Sequence, residues 1–374
     1  MKNGWKRKRI SEIAQHSLGK MLDKAKNKGE LKPYLRNINV RWFGFDLSDV
    51  LEMRFLPTEQ AKYTAVKGDV FVCEGGYPGR AAIWEQDEPI YFQKALHRVR
   101  FYEPEHNKWF LYYLYACDLD GTLKKHFNGA GIQHFTGETL SQFEIPLPPL
   151  PEQRRIVGIL DEAFGSIATA RANAEKNLQN ACALFESYLQ AVFTQRIEGW
   201  EKKTIGQCFK VRSGDFLPAK AMVETGDIDV YGGNGIAGKH NVKNLSGENI
   251  IIGRVGAKCG NVRYVQGDLW LTDNAFYISE YFNEFDLAFL ERLLTRKQLR
   301  STANQAAQPV ISYTTIKEVL LEFPVSKSEQ KEIADKLDTL ETETQRLESI
   351  YRRKLAALDE LKKSLLHQAF NGEL

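Results

Sequence analysis

The segment Gly233–His240, GNGIAGKH, has the GxxxxGK spacing of a phosphate-binding loop. Such a loop needs Ser or Thr next, to hold magnesium, and a helix whose N-terminus faces the phosphates. Here His240 follows, and the next stretch, NVKNLSGEN, does not read as a helix. The segment reads as a glycine-rich turn that brings backbone close to something, or as a tight connection. Methyl transfer to a base amino group wants an Asn/Asp-Pro-Pro-aromatic loop, but the Pro148-Pro149 pair lies between leucines. No glycine-rich loop opens a βαβ unit for S-adenosylmethionine. The seven histidines lack HExxH spacing, and no acidic arrangement reads as a nuclease. Cys73, Cys117, Cys182, Cys208 and Cys259 form no CxxC pair, so neither a zinc site nor a disulfide framework is expected. Binding, not chemistry, is the expectation: no catalytic residue, no metal and no cofactor in this chain.

Composition agrees with that. The 374 residues suffice for two or three domains, and 43% hydrophobic content suffices for real cores. No apolar run reaches membrane-spanning length, and the basic N-terminus lacks the apolar core of a signal peptide. A cytoplasmic protein with free thiols is expected. A net charge of +3 permits nucleic-acid binding without demanding it.

The elements that would position binding residues are written twice. Glu152-Gln153 recurs as Glu329-Gln330, an offset of 177 that also carries Ile156, Leu160, Asp161, Leu178, Leu184, Ser187, Leu189 and Phe193 onto identical residues. Ten identities in a gap-free window of 42 residues mark a repeat. Both windows alternate apolar steps of four and three, the seam of a coiled coil. The expected seam includes Ile156, Leu160, Ile167 and Leu184 in the first copy, and Ile333, Leu337, Leu340, Leu347, Leu358 and Leu361 in the second. The polar slots Asn177 and Lys354 coincide. Pro146, Pro148, Pro149 and Pro151 force an extended approach and place the helix start at Glu152. The preceding regions are loosely parallel: GWKRKRISEI resembles GWEKKTIGQC at an offset of 195, and two strand–glycine loop–strand segments follow.

A chain of globular–helix–globular–helix, with IPLPPLPEQRRIVGILD at the first joint, VYGGNGIAGKHN in the second globular part and AFNGEL at the end, resembles the specificity subunit of Type I restriction–modification systems. The second strap, FPVSKSEQ, departs by lacking the double proline. The resemblance implies an α+β protein. Residues 1–151 and 198–327 would be two mixed α/β target-recognition domains. Residues 152–197 and 328–374 would be spacer helices, paired as an antiparallel coiled coil with internal pseudo-two-fold symmetry. It implies a non-catalytic, sequence-specific DNA-binding subunit that reads a bipartite duplex target. Its partners would be two modification (methyltransferase) subunits and the ATP-dependent restriction subunits, which would carry S-adenosylmethionine, ATP and magnesium, and no membrane. A structural or partner-bridging coiled-coil protein without a DNA role is the alternative; it explains the helices but not two loop-rich domains.

Base edges are best read by Arg, Lys, Asn and Gln. In the first domain the candidates are Tyr77, Arg80, Lys94, Gln133 and His134. In the second they are Asn234, Lys239, Arg254, Lys258, Asn274 and Gln308. The cluster Lys6–Arg9 is a candidate for phosphate contact.

Overall fold

The computed structural model describes residues 4–23, 25–129, 131, 133–194, 199–304 and 309–374. It divides into two units, Met1–Lys176 with Tyr351–Leu374, and Asn177–Ile350. Each unit holds a globular domain, the start of the long helix that leaves it, and the end of the other long helix.

In the first unit the chain enters and leaves the globular domain side by side, because Lys6–Arg9 pairs antiparallel with Glu144–Leu147. The one-turn helix Ile10–Ile13 then leads into a four-stranded antiparallel sheet, ordered Ala14–Leu18, Leu96–Phe101, Val70–Cys73, Ala81–Ile83. A second sheet, ordered Leu51–Phe55, Glu30–Leu35, Ile90–Phe92, Thr64–Ala65, contains one parallel pair, Ile90–Phe92 with Glu30–Leu35. The helix His106–Leu119 and the first long helix cover the core.

The second unit repeats the plan. Trp200–Thr204 pairs with Leu320–Pro324, and the one-turn helix Ile205–Cys208 follows. The main sheet runs Phe209–Ser213, Ala275–Tyr281, Glu248–Gly253, Val262–Gln266, and the small sheet runs Gly235–His240, Ile228–Gly232, Leu269–Leu271. Here too the small sheet has one parallel pair, Ile228–Gly232 with Leu269–Leu271. The helix Leu287–Arg296 takes the place of His106–Leu119. One glycine recurs for a steric reason. A Cβ at Gly19 would lie 2.2 Å from the Gln93 carbonyl oxygen, and one at Gly214 would lie 2.1 Å from that of Leu271. Both domains are therefore mixed α/β and each is followed by a long helix, as the sequence predicts.

The long helices span Leu150–Thr194 and Lys327–Asn371, 45 residues each. The first begins ahead of Glu152, with Pro151 in its first turn, where the missing N–H has no helical partner to lose. Within each unit the helices run antiparallel. In the first, Arg155 meets the Leu374 carbonyl and Arg171 meets Asp359. In the second, Cys182 meets Glu348, and the Lys336 ammonium lies over the Tyr188 ring.

Seam burial is graded. Ile156, Leu160 and Leu337 are fully buried and Ile167 nearly so, while Ile333, Leu340, Leu347 and Leu358 are half-buried. Leu184 and Leu361 are 66% and 46% exposed. Beside them Phe185 and Lys362 are half-buried, and the polar slots Asn177 and Lys354 face outward next to half-buried Leu178 and Leu355. Beyond those slots both helices turn the following residue inward. A straight helix drifts against a strict seven-residue repeat by about 20° per heptad, and an extra four-residue step restores contact.

Three duplicated contacts fasten the helices to the domains. Gln153 is buried, donating to the Pro148 carbonyl at 2.7 Å with its own oxygen 3.0 Å from His106 Nδ1. Its counterpart Gln330 donates to the Pro324 carbonyl at 2.8 Å and accepts from the Asp286 amide at 2.9 Å. Asp161 accepts from Lys108 and Tyr112 at 2.7 and 2.8 Å, and Asp338 takes the Arg292 guanidinium. Phe370 packs on Trp109 (ring centroids 4.9 Å apart), as Phe193 does on Phe289 at 5.8 Å. The first core therefore includes Ile156, Leu160, Leu366 and Phe370 as well as the domain's own Val99, Trp109 and Phe143. Among the described residues no helix is long and apolar enough to cross a membrane.

Candidate nucleic-acid interface

In the first domain the strand Val70–Cys73 runs out into the loop Glu74–Arg80. Gly76 and Gly79, with φ of 78° and 82°, turn it back in a conformation that favours glycine. The Gly79 amide donates to the Cys73 carbonyl and the Cys73 amide to that of Arg80, both at 2.8 Å. Two neighbours are stitched to the loop through Glu74. Its amide donates to the Ala95 carbonyl at 2.9 Å, and its carbonyl accepts from the Phe135 amide at 2.8 Å. A fourth segment joins through Asn37, whose side-chain amide donates to the Gly75 carbonyl at 2.9 Å.

The second domain makes the same stitches. The Gly260 amide donates to Gly253 at 2.7 Å, and that of Gly253 to Asn261 at 2.8 Å. The Arg254 amide donates to Asn274 at 2.8 Å, and its carbonyl accepts from the Ile311 amide at 3.0 Å. At Gly233, the counterpart of Asn37, a Cβ would lie 2.6 Å from the Val255 carbonyl oxygen, so backbone alone fits there. Each domain thus gathers the ends of several strands into one loop cluster with a fixed backbone.

The structure brings together most of the residues singled out in the sequence. Tyr77, Lys94 and Gln133 are exposed on the first cluster, and Asn234, Lys258 and Asn274 on the second. His134 is half-buried, and a Cβ at Gly75 would lie 3.2 Å from its Nδ1. Some side chains are already committed. The Tyr77 hydroxyl donates to Asp118 at 3.1 Å, sharing that oxygen with Trp42 Nε1, and burial followed by the Asp118 charge pushes the phenol up. Arg80 donates to the Asn37 carbonyl at 3.0 Å and lies 5.2 Å from the Tyr77 ring. Arg254 lies 5.5 Å from the Phe276 ring, with its Nε buried and without a hydrogen-bond partner among the described residues.

Lys239 sits away from the loops, inside the strand Gly235–His240. It pairs with Asp229 at 2.6 Å, a bond that pushes its ammonium up. Gln308 lies outside the described residues. The basic Lys6–Arg9 stretch is an edge strand with acidic partners: Arg7 and Arg9 reach Glu144, and Lys8 reaches Glu12.

Sequence reasoning missed the segment around Asn37. It places Ile38, 46% exposed, where the second domain places Asn234. Residue type does not signal that match, because Asn37 does not resemble Gly233; the signal that could have found it is the offset of 195 between the two Gly-Trp starts, which reaches this pair within one residue. Among the described residues no group of three His, Cys, Asp or Glu side chains is placed to hold a metal ion.

Two mixed α/β domains, each presenting one stitched loop cluster and each feeding a 45-residue helix, define a duplicated recognition scaffold. The sequence matches the Type I restriction modification DNA specificity domain over residues 2–177 and again over 197–353, and the chain belongs to that family. It is 30% identical over 260 residues to the Type I restriction enzyme EcoprrI specificity subunit of Escherichia coli, covering 66% of this chain and 64% of that one. The chain therefore spans slightly under two thirds of that relative. It is 21% identical over 342 residues to the EcoBI specificity subunit of Escherichia coli, covering 79% and 71%. Two solved structures share the fold. One comes from work on complex assembly and conformational transition of the type I R-M system (TM-score 0.70, 18% identity, 100% of this chain and 99% of that one). The other is the HsdS subunit from Thermoanaerobacter tengcongensis (TM-score 0.63, 17% identity, 100% and 98%).

Proposed function

We propose that the chain is the DNA-reading subunit of a Type I restriction–modification complex. Each loop cluster reads one half of a bipartite duplex target, and the long helices hold the two readers at a set spacing. The chain docks two modification subunits and, through them, the restriction subunits. It performs no chemistry itself; S-adenosylmethionine, ATP and magnesium act on those partners. The observation that carries this reading is the duplication of the cluster, since one backbone frame recurs while the side chains on it differ: Lys94 and Gln133 in one, Lys258 and Asn274 in the other. Different side chains on one frame suit two different half-sites.

The test is half-site discrimination by the chain assembled with its modification subunits. Lys94→Ala with Gln133→Ala is expected to relax the first half-site by about 1–3 kcal/mol per lost base contact and leave the second unchanged. Lys258→Ala with Asn274→Ala is expected to do the converse. Methylation mapping reads both. Equal loss at both half-sites from either pair would refute one reader per domain, and transfer of methyl groups by the chain alone would refute the non-catalytic role. A bridging role without DNA leaves the second loop cluster unexplained.

A further inference from the structure

His97 is buried in the strand Leu96–Phe101, 1% exposed, directly beneath the first loop cluster. Its Nε2 lies 3.1 Å from the Phe135 carbonyl oxygen. That carbonyl belongs to the residue whose amide is stitched to Glu74, and it follows Gln133 and His134 in the chain. The carbonyl can only accept, so Nε2 carries a proton. Its other nitrogen, Nδ1, is buried with no hydrogen-bond partner among the described residues, so a proton there would go unpaired and the resting ring is neutral. Gly137 lies against the ring: a Cβ there would stand 3.4 Å from its Cε1.

We propose that His97 is a positioning residue for reading by the first domain: its neutral imidazole pins the Phe135 carbonyl and so fixes Gln133 and His134 against the Glu74–Arg80 loop. This rests on the DNA-reading assignment above. The second domain lacks the device. The matching amide bonds, Gly19 to Leu96 and Gly214 to Ala275, align His97 with Phe276, a ring with no N–H to donate. The first domain alone should therefore be sensitive to acid. Among the described residues the titratable group facing His97 is His16, 6.2 Å away on the neighbouring strand; the other neighbours are Leu18, Val72, Phe135 and Gly137. Protonation would add a second N–H, at Nδ1 and unpaired, beside His16 in a dry site, and burial followed by the His16 charge lowers the His97 value to about 4 from 6.5. With the folded value depressed, the contribution is full above the ordinary histidine range and is lost as pH falls from 6.5 towards 4.

The test uses the full chain with its modification subunits and two variants. His97→Phe copies the second domain and removes the donor. His97→Gln keeps a neutral donor that does not titrate. His97→Phe is expected to lower discrimination at the first half-site by about tenfold, with the second unchanged as internal reference. His97→Gln is expected to restore it and to abolish the selective loss of first-half-site discrimination that the wild type shows as pH falls towards 4. Amide hydrogen exchange of the full chain without DNA gives an independent readout. His97→Phe should speed exchange at His134 and Phe135 and leave Val310 and Ile311 alone. The proposal is overturned if His97→Phe behaves as wild type, if both half-sites suffer equally, or if His97→Gln does no better than His97→Phe. If the wild type discriminates neither half-site while the exchange pattern holds, the DNA-reading assignment fails and the pinning role of His97 stands.

Discussion

Gln153 and Gln330 show what a repeated residue can mean. The Glu-Gln pair is legible in the sequence because it occurs twice at one offset. Its purpose is not legible, since the partners, an imidazole at His106 in one domain and a backbone amide at Asp286 in the other, share no chemistry that a sequence comparison would match, although they lie 47 and 44 residues upstream. Each glutamine is a buried amide that satisfies a strap carbonyl and a group from its own domain, which is why a helix-start position that looks polar and exposed is buried instead. Replacing Gln330 with Leu would strand the Pro324 carbonyl and the Asp286 amide in the dry joint. We expect a loss of about 2–4 kcal/mol, because an unpaired buried group costs more than a hydrogen bond gains. Lys331→Ala, exposed on the next position, should change the unfolding free energy read by urea denaturation by about 0.5 kcal/mol or less. The candidate readers are a harder case for sequence. Lys94, Gln133, Lys258 and Asn274 could be named from residue type and glycine-rich context, but Arg80, Lys239 and Arg254 could not be told apart from them. Their partners, the Asn37 carbonyl, Asp229 and the Phe276 ring, meet them only through the fold.

At the scale of elements, the long helices were legible because a 3.6-residue period leaves a regular trace over 45 residues. The trace misleads after Asn177 and Lys354. A pattern of leucines three and four apart continues through Leu184 and Leu361, yet the helices rotate past them and bring Phe185 and Lys362 inward. Sequence spacing records which positions are apolar; accumulated twist decides which of them face the partner. If the helices set the gap between the half-sites, four residues inserted after Lys176 and four after Ile350 add about one turn, or ~6 Å, to each helix. The expected result is a target with a longer unread gap and both half-sites unchanged, read by methylation mapping. A preserved gap with altered half-sites would mean that the helices are not the ruler.

At the scale of the molecule, residues far apart in the chain close a single core. Trp5 stands edge-on to Trp109 at 5.6 Å, and Phe370 reaches the same indole from the end of the second helix. The chain should therefore tolerate new ends: a permutant joining Leu374 to Met1 through a short flexible linker and opened before Gly199 cuts no helix. We expect it to assemble with the modification subunits and keep both half-sites; failure to assemble, with the wild type assembling normally, would count against this closure. The same contact also sets an order in time. A ribosome adds roughly 5–20 residues per second, so Trp109 and Ile156 are made many seconds before Leu366 and Phe370 exist to cover them. The domain that is begun first is thus the one completed last, and throughout synthesis of its twin it carries an open apolar flank for the cell's chaperones to guard.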